Sequence, residues 1–240
     1  MGKRHGIAAG IICLGLVLGC QRSREASESG AAAGKSTTTS APSEGQPAAH
    51  GTIQVAGDGA DLYYVFDEAG EKKVGFTKTG APLTLPPGTY TVSLSNSRKK
   101  VKVEAGGKTV LACGTLVVNG VGTSLYEVFD ETGKHKLDFK FTNGKTELLE
   151  GSYVLKLTNS SKKVAVRAGK ETVVEAGRLT VAGDGKDLYE VYDQTGKAKL
   201  GFTATGKVME LLPGTYTVKC RQKKFPAVVK PKQQTTVKPE

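Results

Sequence analysis

Histidine is nearly missing from this chain, with three in 240 residues. His5 stands near the start, His50 has no partner close in sequence, and His135 alone falls within residues 51–240. Without a neighbouring base, no serine or cysteine can be matched by spacing to an activating group. No glycine-rich loop leads from a strand into a helix, so the sequence has no nucleotide-binding motif. No window shows helical periodicity either, which leaves an all-β fold. These absences give the expectation of a non-catalytic protein with no catalytic residue, no cofactor and no metal.

Bulky apolar residues are scarce before residue 50, with one exception. Lys3, Arg4 and His5 precede an apolar run from Ile7 to Leu18 that is too short to span a bilayer comfortably. The run ends in Leu16-Val17-Leu18-Gly19-Cys20, which resembles a bacterial lipobox, although Val17 stands where leucine is more usual. The resemblance implies a signal peptide over residues 1–19, cleavage before Cys20, and acylation of the Cys20 thiol and amine. Two or three acyl chains would anchor the protein to a membrane, at about 0.8 kcal/mol per buried methylene. Gln21 follows where some lipoproteins carry an aspartate that retains them in the inner membrane. By that resemblance the expected location is the outer membrane or cell surface. Residues 20–50 are otherwise mostly Ser, Ala, Gly, Thr, Glu and Pro, and cannot bury enough surface to offset ordering entropy. They read as a disordered tether with a reach of roughly 30 Å, and about 100 Å when taut.

Cysteine is equally sparse. Cys13 leaves with the leader and Cys20 carries lipid, which leaves Cys113 and Cys220. Their repeat positions differ, so a disulfide would need the first and third repeats to pack closely. Free buried thiols are the favoured reading.

What the chain does have is repetition. Leu85-Pro86-Pro87-Gly88-Thr89-Tyr90, Leu148-Leu149-Glu150-Gly151-Ser152-Tyr153 and Leu211-Leu212-Pro213-Gly214-Thr215-Tyr216 place three tyrosines 63 residues apart. The repeats run over 51–113, 114–176 and 177–240. Each opens on an alternating strand, continues through Leu62 to Asp67 or its counterparts, and turns at Asp67 to Gly70, Asp130 to Gly133 or Asp193 to Gly196. Aspartate can bond the turn backbone there, and glycine accepts positive φ. After the Tyr element come two short valine-rich strands around a glycine turn, read as a hairpin. Short strands separated by turns at this spacing indicate three small immunoglobulin-like β-sandwich repeats. Each is expected to close its own sandwich, with end-to-end contacts adding stability; a continuous solenoid is the alternative.

The Leu-x-Pro-Gly-x-Tyr-x-Val element, between an Asp-x-x-Gly hairpin and a valine-rich pair, resembles bacterial immunoglobulin-like and prealbumin-like modules. The collagen-adhesin B-type repeat, the carboxypeptidase regulatory-like repeat and the PEGA domain share it. The resemblance implies a stalk, spacer or binding accessory and transfers no ligand residue.

Two loops, Gly57-Asp58-Gly59-Ala60-Asp61 and Gly183-Asp184-Gly185-Lys186-Asp187, faintly resemble calcium loops. Each offers two carboxylates where calcium takes six to eight oxygens. The middle copy, Asn119 to Thr123, has neither. A tight interstrand turn explains all three.

Charge is the remaining signal. The formal +11 becomes +9 without Lys3 and Arg4, and the three repeats carry +2, +1 and +6. The third repeat's excess lies wholly in its last 22 residues. Lys219, Arg221, Lys223, Lys224, Lys230 and Lys232 there form a candidate polyanion-binding tip on a basic C-terminal hairpin. The plainer reading is that lysines and prolines guard an edge strand against pairing. Phe225 is the one aromatic among these charges, so specific nucleic-acid recognition is not expected. The expected function is a lipid-anchored, non-catalytic scaffold that contacts envelope proteins. The alternative is a receptor for anionic wall or surface glycans.

Overall fold

The computed structural model describes residues 49–239; the leader, Cys20 and most of the tether lie outside the described residues. The described residues gather into one compact body. The first repeat contains β1 (Gly51–Val55), β2 (Leu62–Phe66), β3 (Lys73–Lys78), β4 (Pro82–Leu85), β5 (Gly88–Leu94), β6 (Ser97–Val103) and β7 (Lys108–Leu111). The second contains β8 (Cys113–Asn119), β9 (Leu125–Phe129), β10 (Lys136–Phe141), β11 (Lys145–Leu149), β12 (Gly151–Leu157), β13 (Ser160–Val166) and β14 (Glu171–Glu175). The third contains β15 (Gly177–Val181), β16 (Leu188–Tyr192), β17 (Lys199–Ala204), β18 (Val208–Leu211), β19 (Gly214–Cys220), β20 (Lys223–Val229) and β21 (Gln234–Val237).

Each repeat folds into two sheets. In the first, β4-β1-β7 form a three-stranded sheet and β3-β2-β5-β6 a four-stranded antiparallel one, and both orders recur in the other two repeats. Period-two alternation places the core between the sheets. Along β12, Tyr153, Leu155 and Leu157 point inward, and along β2 Tyr63 and Val65 do so. The fold is all-β, with three small immunoglobulin-like sandwiches in tandem.

The Asp-x-x-Gly turns form as read. Asp67 accepts a hydrogen bond from the Glu71 N–H at 2.9 Å, and Gly70 donates to the Asp67 carbonyl at 3.0 Å. Gly70, Gly133 and Gly196 all take positive φ, which glycine adopts without steric cost.

The valine-rich strands differ from the reading. β6 and β7 do not pair with each other. β6 closes the edge of the four-stranded sheet, while β7 crosses to the other sheet and runs parallel to β1, with Thr52 opposite Lys108. The third repeat is built the same way: β20 pairs with β19, and β21 lies parallel to β15. The basic hairpin is therefore β19–β20, and Lys230 and Lys232 belong to a crossover rather than to its tip.

The outer face of each four-stranded sheet carries an exposed phenylalanine: Phe76, Phe139 and Phe202. Lys73, Lys136 and Lys199 lie over these rings, the last at 4.8 Å from the centroid.

Candidate functional site

The repeats do not close separately. The apolar cluster of the first repeat contains Leu149 from the second, together with Cys113 at the boundary. The cluster of the second contains Leu212 from the third, together with Ala176 at the boundary. Leu149 and Leu212 directly follow the leading leucines, Leu148 and Leu211, of the Leu-x-x-Gly-x-Tyr element. Burying a leucine contributes about 1.5–3 kcal/mol, so each insertion is a substantial link. The tyrosine of the element holds the insertion in place. Tyr153 donates its hydroxyl to the Leu149 carbonyl, and Tyr216 to that of Leu212.

Polar groups complete the junction. Ser97, buried in the β5–β6 turn, accepts from the Leu149 N–H at 3.4 Å, and Ser160 accepts from the Leu212 N–H at 3.0 Å. Asn96 donates to the Leu137 carbonyl at 2.6 Å, and Asn159 to the Leu200 carbonyl at 2.7 Å. Loops of one repeat thus pack on β10 and β11, or β17 and β18, of the next. Those strands are sheet edges, and the preceding repeat covers them.

The least expected participant is Glu147, a buried carboxylate on β11. It enters the Gly57–Asp61 loop of the first repeat. One oxygen accepts the Asp58 N–H at 3.0 Å; the other accepts the Asp61 N–H at 3.1 Å and the Thr79 hydroxyl at 2.6 Å. The Glu147 N–H returns a bond to Asp61 at 3.0 Å, and Lys140 approaches the same aspartate at 3.7 Å. Such charge-assisted bonds are the condition on which a carboxylate can be buried. Gly57 is required here because a Cβ on it would strike Glu147 Oε1. Glu210 repeats the arrangement at the second junction. The Val121 N–H donates to Oε1 at 2.5 Å, while buried Oε2 has no hydrogen-bond partner among the described residues.

Of the two loops that resemble calcium sites, Gly57–Asp61 thus receives a carboxylate from the next repeat. Among the described residues no group of three His, Cys, Asp or Glu side chains could hold a metal ion. Glu147, Glu210, Ser97, Ser160, Asn96 and Asn159 escape sequence reasoning. Their one signal is position: they align across the internal junctions and change in the outer repeats, as Thr84, Gln222 and Lys223 show.

Both free thiols are buried. Cys113 donates to the Ala56 carbonyl across the first junction. Burial, with Glu147, Asp58 and Asp61 nearby, pushes its thiol up to about 11, which leaves it protonated at neutral pH. Cys220 sits in the core of the third repeat.

The basic residues divide between two places. Arg221 and Lys223 lie at the β19–β20 turn, and Lys219 stands directly opposite Lys224 on that ribbon. Lys232 lies instead at the second junction, with Nζ 3.0 Å from Glu175 and its N–H bonded to the Ala176 carbonyl. Lys230 is close by, its carbonyl accepting from the Gln233 N–H in the same crossover. Cys20 lies outside the described residues. No helix among those residues is long and apolar enough to cross a membrane.

Fold and junctions define a tandem array of β-sandwiches whose repeats share cores. No protein-family model and no curated protein matches the chain. Among solved structures it is similar to the Bacillus anthracis TIE protein at 19% identity, over 79% of this chain and 50% of that one, with a TM-score of 0.23. The chain thus spans about half of that protein's length. It is similar to GBS52, the minor pilin of Streptococcus agalactiae, at 12% identity over 54% of this chain and 94% of the other, TM-score 0.25. It is also similar to a variant of BcpA, the major pilin of Bacillus cereus, at 9% identity over 80% and 99%, TM-score 0.21.

Proposed function

We propose that the protein is a lipid-anchored, non-catalytic scaffold of the cell envelope, whose three repeats form a locked spacer carrying surfaces for partner proteins. The observation that supports this most is the pair of junctions. Independent binding modules on a string have no need to complete each other's cores or to bury a carboxylate in a neighbour's loop. A spacer that must transmit position does. The anchor in this reading is Cys20, with the acyl chains in the outer membrane. A Cys20→Ser variant is expected to lose both labelled fatty acid and its place in the membrane fraction. Fatty-acid incorporation by that variant would remove the anchor.

A second reading, binding of anionic glycans, draws on one observation. Lys219 and Lys224 are cross-strand neighbours, an arrangement that costs stability because like charges face each other. Salt-reversible co-sedimentation with acidic polysaccharide, lost on neutralising Lys219 and Lys224 but kept on neutralising Lys230 and Lys232, would favour the receptor over the scaffold. The scaffold reading expects no such co-sedimentation.

A further inference from the structure

The third repeat carries the same receptor loop, Gly183–Asp187, and no later repeat among the described residues fills it. Its construction matches the occupied copies. The Gly185 N–H donates to the Thr205 hydroxyl at 3.2 Å, as Gly59 does to Thr79 at 3.1 Å. Thr205 is buried like Thr79, and Gly183 keeps the glycine that Gly57 needs to admit a carboxylate. In the first repeat the two loop N–H groups and the threonine hydroxyl all donate to Glu147. Here the Asp184 N–H turns to its own carboxylate, and no carboxylate of another repeat among the described residues reaches the loop.

The charge balance has been rebuilt as well. In the first repeat Asp61 is approached by a cation of the next repeat, Lys140. In the third, Arg221 from the repeat's own β19–β20 turn donates through Nε to Asp187 at 2.7 Å, and Lys186 pairs with Asp184 at 2.9 Å. The loop therefore neutralises its own aspartates within an exposed turn, where its N–H groups can take an anion without help from a neighbour.

A second copy of the chain does not supply that anion. At the positions of Glu147 and Leu149 the first repeat has Thr84 and Pro86. Threonine brings no carboxylate to the loop, and Pro82 and Pro86 remove two N–H groups from that edge.

We propose that the free end of the third repeat is a docking site for a different protein, one that presents a glutamate from the edge strand of a β-sheet. The proposal rests on the scaffold reading and names the place where a partner attaches. The test is a titration of the full chain, labelled for amide NMR, with a peptide of residues 145–150 (Lys-Thr-Glu-Leu-Leu-Glu), the chain's own docking strand. Saturable shifts are expected at the Asp184, Gly185 and Asp187 amides. Exchanging the first glutamate of the peptide for glutamine is expected to weaken binding by about tenfold or more, since a charge-assisted bond is lost. Thr205→Val is expected to abolish the shifts and Thr205→Ser to keep them, which separates loss of the hydroxyl from loss of the fold. Absence of saturable shifts, equal binding of the glutamine peptide, or equal shifts with sodium acetate would each overturn the proposal. So would self-association of the wild-type chain that Thr205→Val removes, since the occupant would then be a second copy. Failure of this titration leaves the scaffold reading standing, because that reading is decided by the polysaccharide co-sedimentation.

Discussion

Tyr63, Tyr126 and Tyr189 occupy the same position on the second strand of each repeat and are fully buried. Each meets the need of a buried hydroxyl differently in detail but alike in kind. Tyr63 reaches the Ile53 and Ala81 carbonyls at 3.0 and 2.9 Å, and Tyr189 the Leu179 and Lys207 carbonyls at 3.1 and 2.9 Å. Burial disfavours the phenolate and pushes Tyr63 and Tyr189 up to about 12 from 10.0. The sign of the linkage follows. An unfolded chain releases these protons near pH 10, so their contribution is whole below that and is lost as pH rises toward 12. Thermal unfolding midpoints are expected to show no loss from these tyrosines between neutral pH and about 10, then to fall together with a late step in tyrosine absorbance. Tyrosine ionisation completed near pH 10 without unfolding would contradict the burial. At the same scale, Glu147→Gln keeps the shape but weakens three accepted bonds. It is expected to cost about 1.5–3 kcal/mol in denaturant unfolding. An unchanged midpoint would show that the carboxylate contributes nothing to the junction.

The Leu-x-x-Gly-x-Tyr element is the piece of secondary structure that gains a role from the fold. Its glycine and tyrosine mark the turn and the strand, and both are legible in the sequence. The residue that follows its leading leucine looks like any residue at the end of a short strand. Only packing between repeats shows that Leu149 and Leu212 plug a neighbour's core, whereas Pro86, with no preceding repeat among the described residues, is exposed. Leu149→Ala and Leu212→Ala are each expected to cost about 2–5 kcal/mol through the cavity left behind. Pro86→Ala is expected to stay within about 0.5 kcal/mol in the same unfolding assay. Equal losses at all three positions would contradict the junction. The strands on either side of the glycine turn pair differently from their local pattern for a related reason. A short alternating strand has the same local pattern whether it folds back or crosses over. β7 finds its partner in β1, more than fifty residues upstream, and no local signal encodes that pairing. Glu147 was hidden in the same way: a glutamate on an edge strand reads as solvated until another repeat covers the edge.

At the scale of the whole array, the termini differ from the middle. The first repeat's edge carries Pro82 and Pro86 where internal repeats dock, and the third replaces Ser97 and Ser160 with Lys223. Phe225 lies partly buried against the third core, where the earlier repeats have Lys99 and Lys162. Terminal repeats that differ in this way are what a stacked array requires, since each internal surface is complementary to a neighbour. Sequence periodicity showed the three repeats and their strands, and it left open whether they act as beads or as one body. Hydrogen exchange on the full chain with Leu149→Ala decides that point most directly. The substitution lies in the second repeat, but the cavity opens in the core of the first. Protection is expected to fall at amides of β1, β2 and β5 in the first repeat as well as around β11. Loss confined to residues 113–175, with the first repeat as protected as before, would contradict the shared cores.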